Sequence, residues 1–115
     1  MVNLVDFISS AQRSTFKLFA RPSTYVLNDG ATTSPLLSFL RGLRSEDLFA
    51  AAQQQDLVAV IDCAEFVAAF PSRQHPMRYD RLRSGTFSYA IEQWRGSPND
   101  DAPTFFKLLL RGGAQ

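Results

Sequence analysis

The stretch FSYAIEQWRGSPNDDAPTFFKLLLRGG, residues 87 to 113, joins two hydrophobic patterns across a polar interval. In the first, Phe87, Tyr89 and Ile91 share one parity, while Ser88, Ala90, Glu92 and Trp94 take the other. A period of two predicts a half-buried strand with a core face and a wetter face. Residues 96 to 103 read as a loop, and Thr104 to Arg111 as a last strand of a different kind. Phe106, Leu108 and Leu110 lie on one side of it, and Phe105, Lys107 and Leu109 on the other. Both sides are apolar enough to need cover. A small barrel takes up one side. The outer side, with Phe105 and Leu109, is covered either by the chain's own N-terminal helix or by another subunit. Burying each of those two side chains is worth about 1.5–3 kcal/mol.

The rest of the chain carries shorter signals. Leu4, Phe7, Ile8 and Ala11 recur at helical spacing, predicting an amphipathic helix over about 3–14 with Asn3 as N-cap. Residues 15 to 20, TFKLFA, switch towards strand and are broken by Arg21-Pro22. Residues 23 to 35 read as an edge strand and a turn, because Asn28-Asp29-Gly30 tolerates positive φ. Leu36 to Leu40 is a short strand, and Ser45-Glu46-Asp47 a helix start leading into LFAAAQQQ. Asp56 to Ile61 is a β-branched run of the buried type. Asp62-Cys63-Ala64-Glu65 is a capping box, with Glu65 reaching back to the Asp62 amide. Phe66 and Phe70 share a face of the brief helix that follows, and Pro71 ends it. Beyond a connector over residues 71 to 79, Arg81 to Arg83 begins a strand and Ser84-Gly85 is a tight turn.

About six strands at short spacing, with turn signals between them, predict a mainly β fold. We expect a small antiparallel β-barrel or sandwich with an N-terminal α-helix and one or two short inserted helices. A chain of 115 residues argues for a single domain, 1–115, with the β-rich part over about 15–111.

Charge and cysteine content narrow the partners. A net charge of +1 gives no global field to draw the chain onto DNA or an anionic membrane. Cys63 is the only cysteine, so no internal disulfide holds the fold and synthesis in the cytoplasm fits best. No secretory signal or membrane-spanning run is read, so no membrane partner is expected. Ten phenylalanines suggest an aromatic core, a buried partner surface, or both.

Candidate chemistry is sparse. His75 precedes Pro76 in a connector and has no second histidine or paired cysteines with which to hold a metal. Cys63 falls in the first turn of a helix, where the dipole lowers a thiol pKa. A nucleophile also needs a base and an orienting group, and nothing in the sequence links Cys63 to His75. We read Cys63 as a small buried hydrophobe and expect no enzyme, metal or cofactor. Asp100 and Asp101 lack the spacing of a calcium loop. One constellation remains: Arg73, His75, Arg78, Arg81 and Arg83, interrupted only by Asp80. It is either a solvated basic face or a patch towards DNA or an acidic surface. Two long polar stretches, 27–35 and 41–56, are the candidate contact loops, and at least one is expected to touch a neighbour.

The segment RYDRLRSGTFSYAIEQWRGSPNDDAPTFFKLLLRGG, and before it DLVAVIDCAEFVAAFPSRQHP, resembles small head–tail joining proteins of long-tailed bacteriophages and gene transfer agents. The resemblance covers residues 56 to 113 best and carries no catalytic motif. Many relatives place Gly-Asp just before the hairpin, whereas Tyr79 precedes Asp80 here. The resemblance implies a virion protein of the neck, of the head-completion or stopper type, made in the host cytoplasm. It implies a homo-oligomeric ring, hexameric or dodecameric, beneath a portal or adaptor ring. Tail terminator or tail tube proteins would lie on its other side, and packaged DNA would pass through. Arg78, Arg81 and Arg83 are then candidates for the channel, and Phe105, Leu109, Asn28 and Asp29 for subunit contacts. Two other readings stay open: a tail terminator at the same junction, and a monomeric β-barrel adaptor for nucleic acid or peptide.

Overall fold

The computed structural model of the chain describes residues 15–44, 47, 49, 50, 52, 53, 55–97 and 99–112. The helix expected over 3–14 lies outside them. The strands are β1 (Arg21–Val26), β2 (Thr33–Gly42), β3 (Leu57–Asp62), β4 (Arg81–Ser84), β5 (Phe87–Ser97) and β6 (Phe105–Gly112). They close into an antiparallel barrel in the order β1-β2-β3-β6-β5-β4. Closure is made by β1 on β4, with Tyr25 opposite Leu82 and Val26 opposite Arg81. The stretch expected to hold an edge strand is therefore paired on both sides over Thr24–Val26. Pro22 and Pro35 stand where their strands have a neighbour on one side only, so their missing N–H groups break no ladder.

Alternating burial follows the pleat. Tyr25, Leu36, Ala59, Ile61, Leu82, Ile91, Phe106, Leu108 and Leu110 form the interior. A short helix, α2 (Cys63–Ala69), closes one end of the barrel, after a first helical turn over 15–19, α1. Phe66 meets Tyr25 and Phe106 edge-on, with ring centroids 5.1 and 5.6 Å apart, and Phe70 packs on Tyr25 at 5.6 Å. Asp62 caps α2 as expected, accepting from the Ala64 and Glu65 amides.

Four expectations are corrected. Residues 15–19 are helical rather than extended. Once β1 and β4 pair, no strand is left for this segment, and local bonds such as Ala20 N–H to Phe16 O at 2.8 Å satisfy its backbone. Glu65 does not reach back to Asp62; its carboxylate accepts from the Leu37 amide at 2.7 Å, tying α2 to β2. Trp94 joins the core side with Tyr89, because a bulge between Ile91 and Gln93 inverts the parity of β5. Asp47, Phe49, Ala50, Ala52 and Gln53 are not helical but make turns, as in Asp47 N–H to Arg44 O at 3.0 Å.

Candidate functional site

The outer face of β6 resolves the double-sided pattern. Its four outward residues alternate apolar and cationic, and each meets a matching residue from elsewhere in the chain. Phe105 packs on Phe16 of α1, with ring centroids 5.2 Å apart. Lys107 reaches Asp47 at 3.3 Å. Leu109 clusters with Val58 beneath Phe49. Arg111 grips Asp56 through two hydrogen bonds, 3.0 and 2.8 Å. Arg41 adds a forked pair to Asp47 at 2.6 and 2.7 Å. Residues of the 43–56 stretch thus form a strap over the barrel wall. Phe105 and Leu109, at 8% and 0% exposure, are covered within the chain and offer no surface to a subunit. Within the candidate contact loop 41–56, Asp47 and Asp56 are thus committed to the barrel wall of their own chain. Bonds from Arg41 and Arg111 hold the Asp47 and Asp56 carboxyls below their ordinary range, against the opposing effect of burial.

The basic constellation is divided by the fold. Arg73 turns inward to Asp80, whose carboxylate is fully buried and accepts from Tyr25 Oη (2.6 Å), Asn28 N (2.8 Å), Arg73 (2.8 and 3.2 Å) and Met77 N (3.0 Å). Asp80 thereby joins β1, the turn after it and the connector at the end of the barrel that α2 closes. Burial, and then the bond to Asp80, holds the Tyr25 phenol well above its ordinary value. His75 stacks on Trp94 with centroids 4.8 Å apart, and the Pro76 carbonyl 2.7 Å from Nδ1 favours the tautomer protonated there. Arg78 lies over the Tyr79 ring at 4.9 Å and pairs loosely with Glu92 at 3.4 Å. Arg81 donates to Ser88 Oγ and O, at 2.9 and 3.1 Å. Arg83 points outward from β4. The three channel candidates therefore share a side of the barrel without converging on one point.

Asn28 and Asp29 serve the turn they occupy. Asn28 accepts from Arg73 at 3.2 Å. Asp29 accepts from the Thr32 amide and hydroxyl and the Ala31 amide, which hold its carboxyl at about 2. Cys63 packs against the core at the start of α2. Among the described residues no group of three His, Cys, Asp or Glu could hold a metal ion, and no helix is long and apolar enough to cross a membrane.

Two features were missed in the sequence. Tyr79, just before Asp80, adopts the left-handed conformation that glycine takes readily, with φ 74°. Its ring is exposed, as are the neighbouring Met77 and Arg78 side chains. The second feature lies at the other end of the barrel. There Leu18 and Phe19 are 79% and 60% exposed beside a cleft reaching Ser38 and Leu40. The strand-like reading of TFKLFA hid it. Comparison of the chain with protein-family models and with curated proteins finds no match in either.

Proposed function

We propose that this chain is a structural subunit of the neck of a long-tailed bacteriophage or related particle. In this reading it forms a ring at the head–tail junction, docks on the portal side, helps retain packaged DNA and provides a tail attachment surface. One observation carries the proposal beyond the resemblance of residues 56 to 113: the barrel interior is filled by its own aromatic side chains. Such a scaffold presents surfaces rather than an internal pocket. The resembling segment maps onto β3, α2, β4, β5 and β6, a contiguous run of the closed wall. Exposed Tyr79, Met77 and Arg78 supply residue types enriched in protein interfaces.

Electron microscopy of lysates from a phage lacking this chain tests the reading. Filled heads without tails, or emptied heads, are the expected result. Complete tailed particles would overturn it.

A further inference from the structure

Asp29–Gly30 is the only Asp–Gly step in the chain, and no Asn–Gly step occurs. In an unstructured chain this pair is chemically labile, because glycine puts no side chain in the way of its own amide nitrogen. The Gly30 nitrogen attacks the Asp29 side-chain carbon Cγ. An N–C bond forms, the amide proton and the carboxyl hydroxyl leave together as water, and a succinimide ring closes. Water then adds at either ring carbonyl, giving aspartate again or the β-linked isoaspartate. The reaction needs a protonated carboxyl that can turn towards the nitrogen, and a nitrogen free to lose its proton.

The fold occupies both groups. Asp29 Oδ1 accepts from the Ala31 and Thr32 amides, each at 2.8 Å, and Oδ2 accepts from the Thr32 hydroxyl at 2.7 Å. These bonds also favour the ionised carboxylate, which lacks the hydroxyl that must leave. The Gly30 N–H donates to Leu27 O at 2.9 Å, and the Leu27 N–H closes the turn onto Thr32 O at 2.9 Å. Asp29, Gly30, Ala31 and Thr32 are all exposed, so water reaches the turn and hydrogen bonds rather than packing hold it shut. We propose that Asp29–Gly30 is a covalent ageing site guarded by Thr32, which clasps the carboxylate while the turn is closed; isoaspartate forms when the turn opens. The product adds a methylene to the main chain directly after Asn28, whose amide donates to the buried Asp80 carboxylate at 2.8 Å. The lesion therefore loosens the turn from the polar cluster at the closed end of the barrel. The inference rests on this turn alone and stands or falls separately from the neck reading.

Incubating the full chain at neutral pH for several weeks tests it. Isoaspartate is measured by methylation with an isoaspartyl methyltransferase and located by peptide mapping in a mass spectrometer. The same chain unfolded in guanidinium chloride should gain isoaspartate chiefly at position 29. The folded chain should gain it about a hundredfold more slowly, since several hydrogen bonds to a charged group must break first. Thr32→Val removes the hydroxyl and keeps the backbone amides, and should speed the folded reaction about tenfold. Thr32→Ser restores the hydroxyl and should return the rate to that of the wild type. Equal rates in the folded and unfolded wild type would overturn the proposal, as would isoaspartate mainly at other positions. A Thr32→Val rate equal to wild type, or a Thr32→Ser rate as fast as that of Thr32→Val, would also overturn it. The wild-type comparison decides the matter even if Thr32→Val fails to fold.

Discussion

The two ends of the barrel are built from the same strands and treat polar groups in opposite ways. At the end closed by α2, Asp80 is fully buried and collects donors from a phenol, a guanidinium and two backbone amides. At the open end, among the described residues, the buried Ser38 hydroxyl has no hydrogen-bond partner, the exposed Arg21 side chain has no ion pair, and Leu18 and Phe19 are exposed. A complete hydrogen-bond inventory marks structure that has no further contact to make. An incomplete one, beside exposed apolar side chains, marks a surface that gains by being covered. The difference sets a saturated polar cluster at one end of the barrel against uncovered apolar side chains at the other.

The largest way to break this contrast is Asp80→Ala. Removing the carboxylate leaves Arg73 and the Tyr25 hydroxyl without their shared partner, and a loss of about 3–5 kcal/mol is expected in urea unfolding. Tyr25→Phe removes only one donor to a charged acceptor and should cost about 1.5–3 kcal/mol. It also carries a pH signature. Because the folded phenol titrates above its unfolded value, its contribution is complete below about pH 10 and is lost as pH rises further. The phenylalanine variant should flatten the alkaline limb of a thermal-stability profile.

The strap responds at the opposite pH. The Asp47 and Asp56 carboxyls titrate below their unfolded values, so their contribution is present above about pH 4 and fades as pH falls. Asp56→Asn should cost about 1 kcal/mol at neutral pH and reduce acid sensitivity in the same profile. Tyr79→Gly tests strain at the closed end. Relief of the left-handed tyrosine, offset by glycine's chain entropy, should change stability by no more than about 1 kcal/mol, in the stabilising direction. Smallest of all, Leu18→Ser and Phe19→Ser should stay within about 0.5 kcal/mol of wild type, since neither side chain is buried. A large loss there would erase the distinction between the ends.

Much of the barrel was legible because period-two burial and turn chemistry are local. The six strands, the Asp62 cap and the short helix α2 carrying Phe66 all follow from neighbours in sequence. What was not legible depends on partners far along the chain. TFKLFA reads as a strand in isolation, and only closure of β1 on β4 leaves it without a strand to pair with. The bulge after Ile91, which returns Trp94 to the core, has no marker in IEQW. The alternation Phe105, Lys107, Leu109, Arg111 was visible, but its complement lies in Phe16, Asp47, Phe49 and Asp56, far away in sequence. Of the candidate site, the arginine cluster was visible as composition, and its division into a buried clamp and separate surface groups was not. The open-end cleft combines α1, β1 and β2 and could be recognised only once the three were brought together.

The most direct test is cryo-electron microscopy of an intact neck from a particle whose genome encodes this chain. The expected density is a ring of barrels beneath the portal in which Leu18, Phe19 and Arg21 are covered by a neighbouring component and Asp47, Phe49 and Asp56 stay on their own β6. A neck without this chain would contradict the functional reading. A ring whose subunits join through Phe105 and Leu109, with the strap displaced and the open end bare, would contradict the division of labour between the two ends.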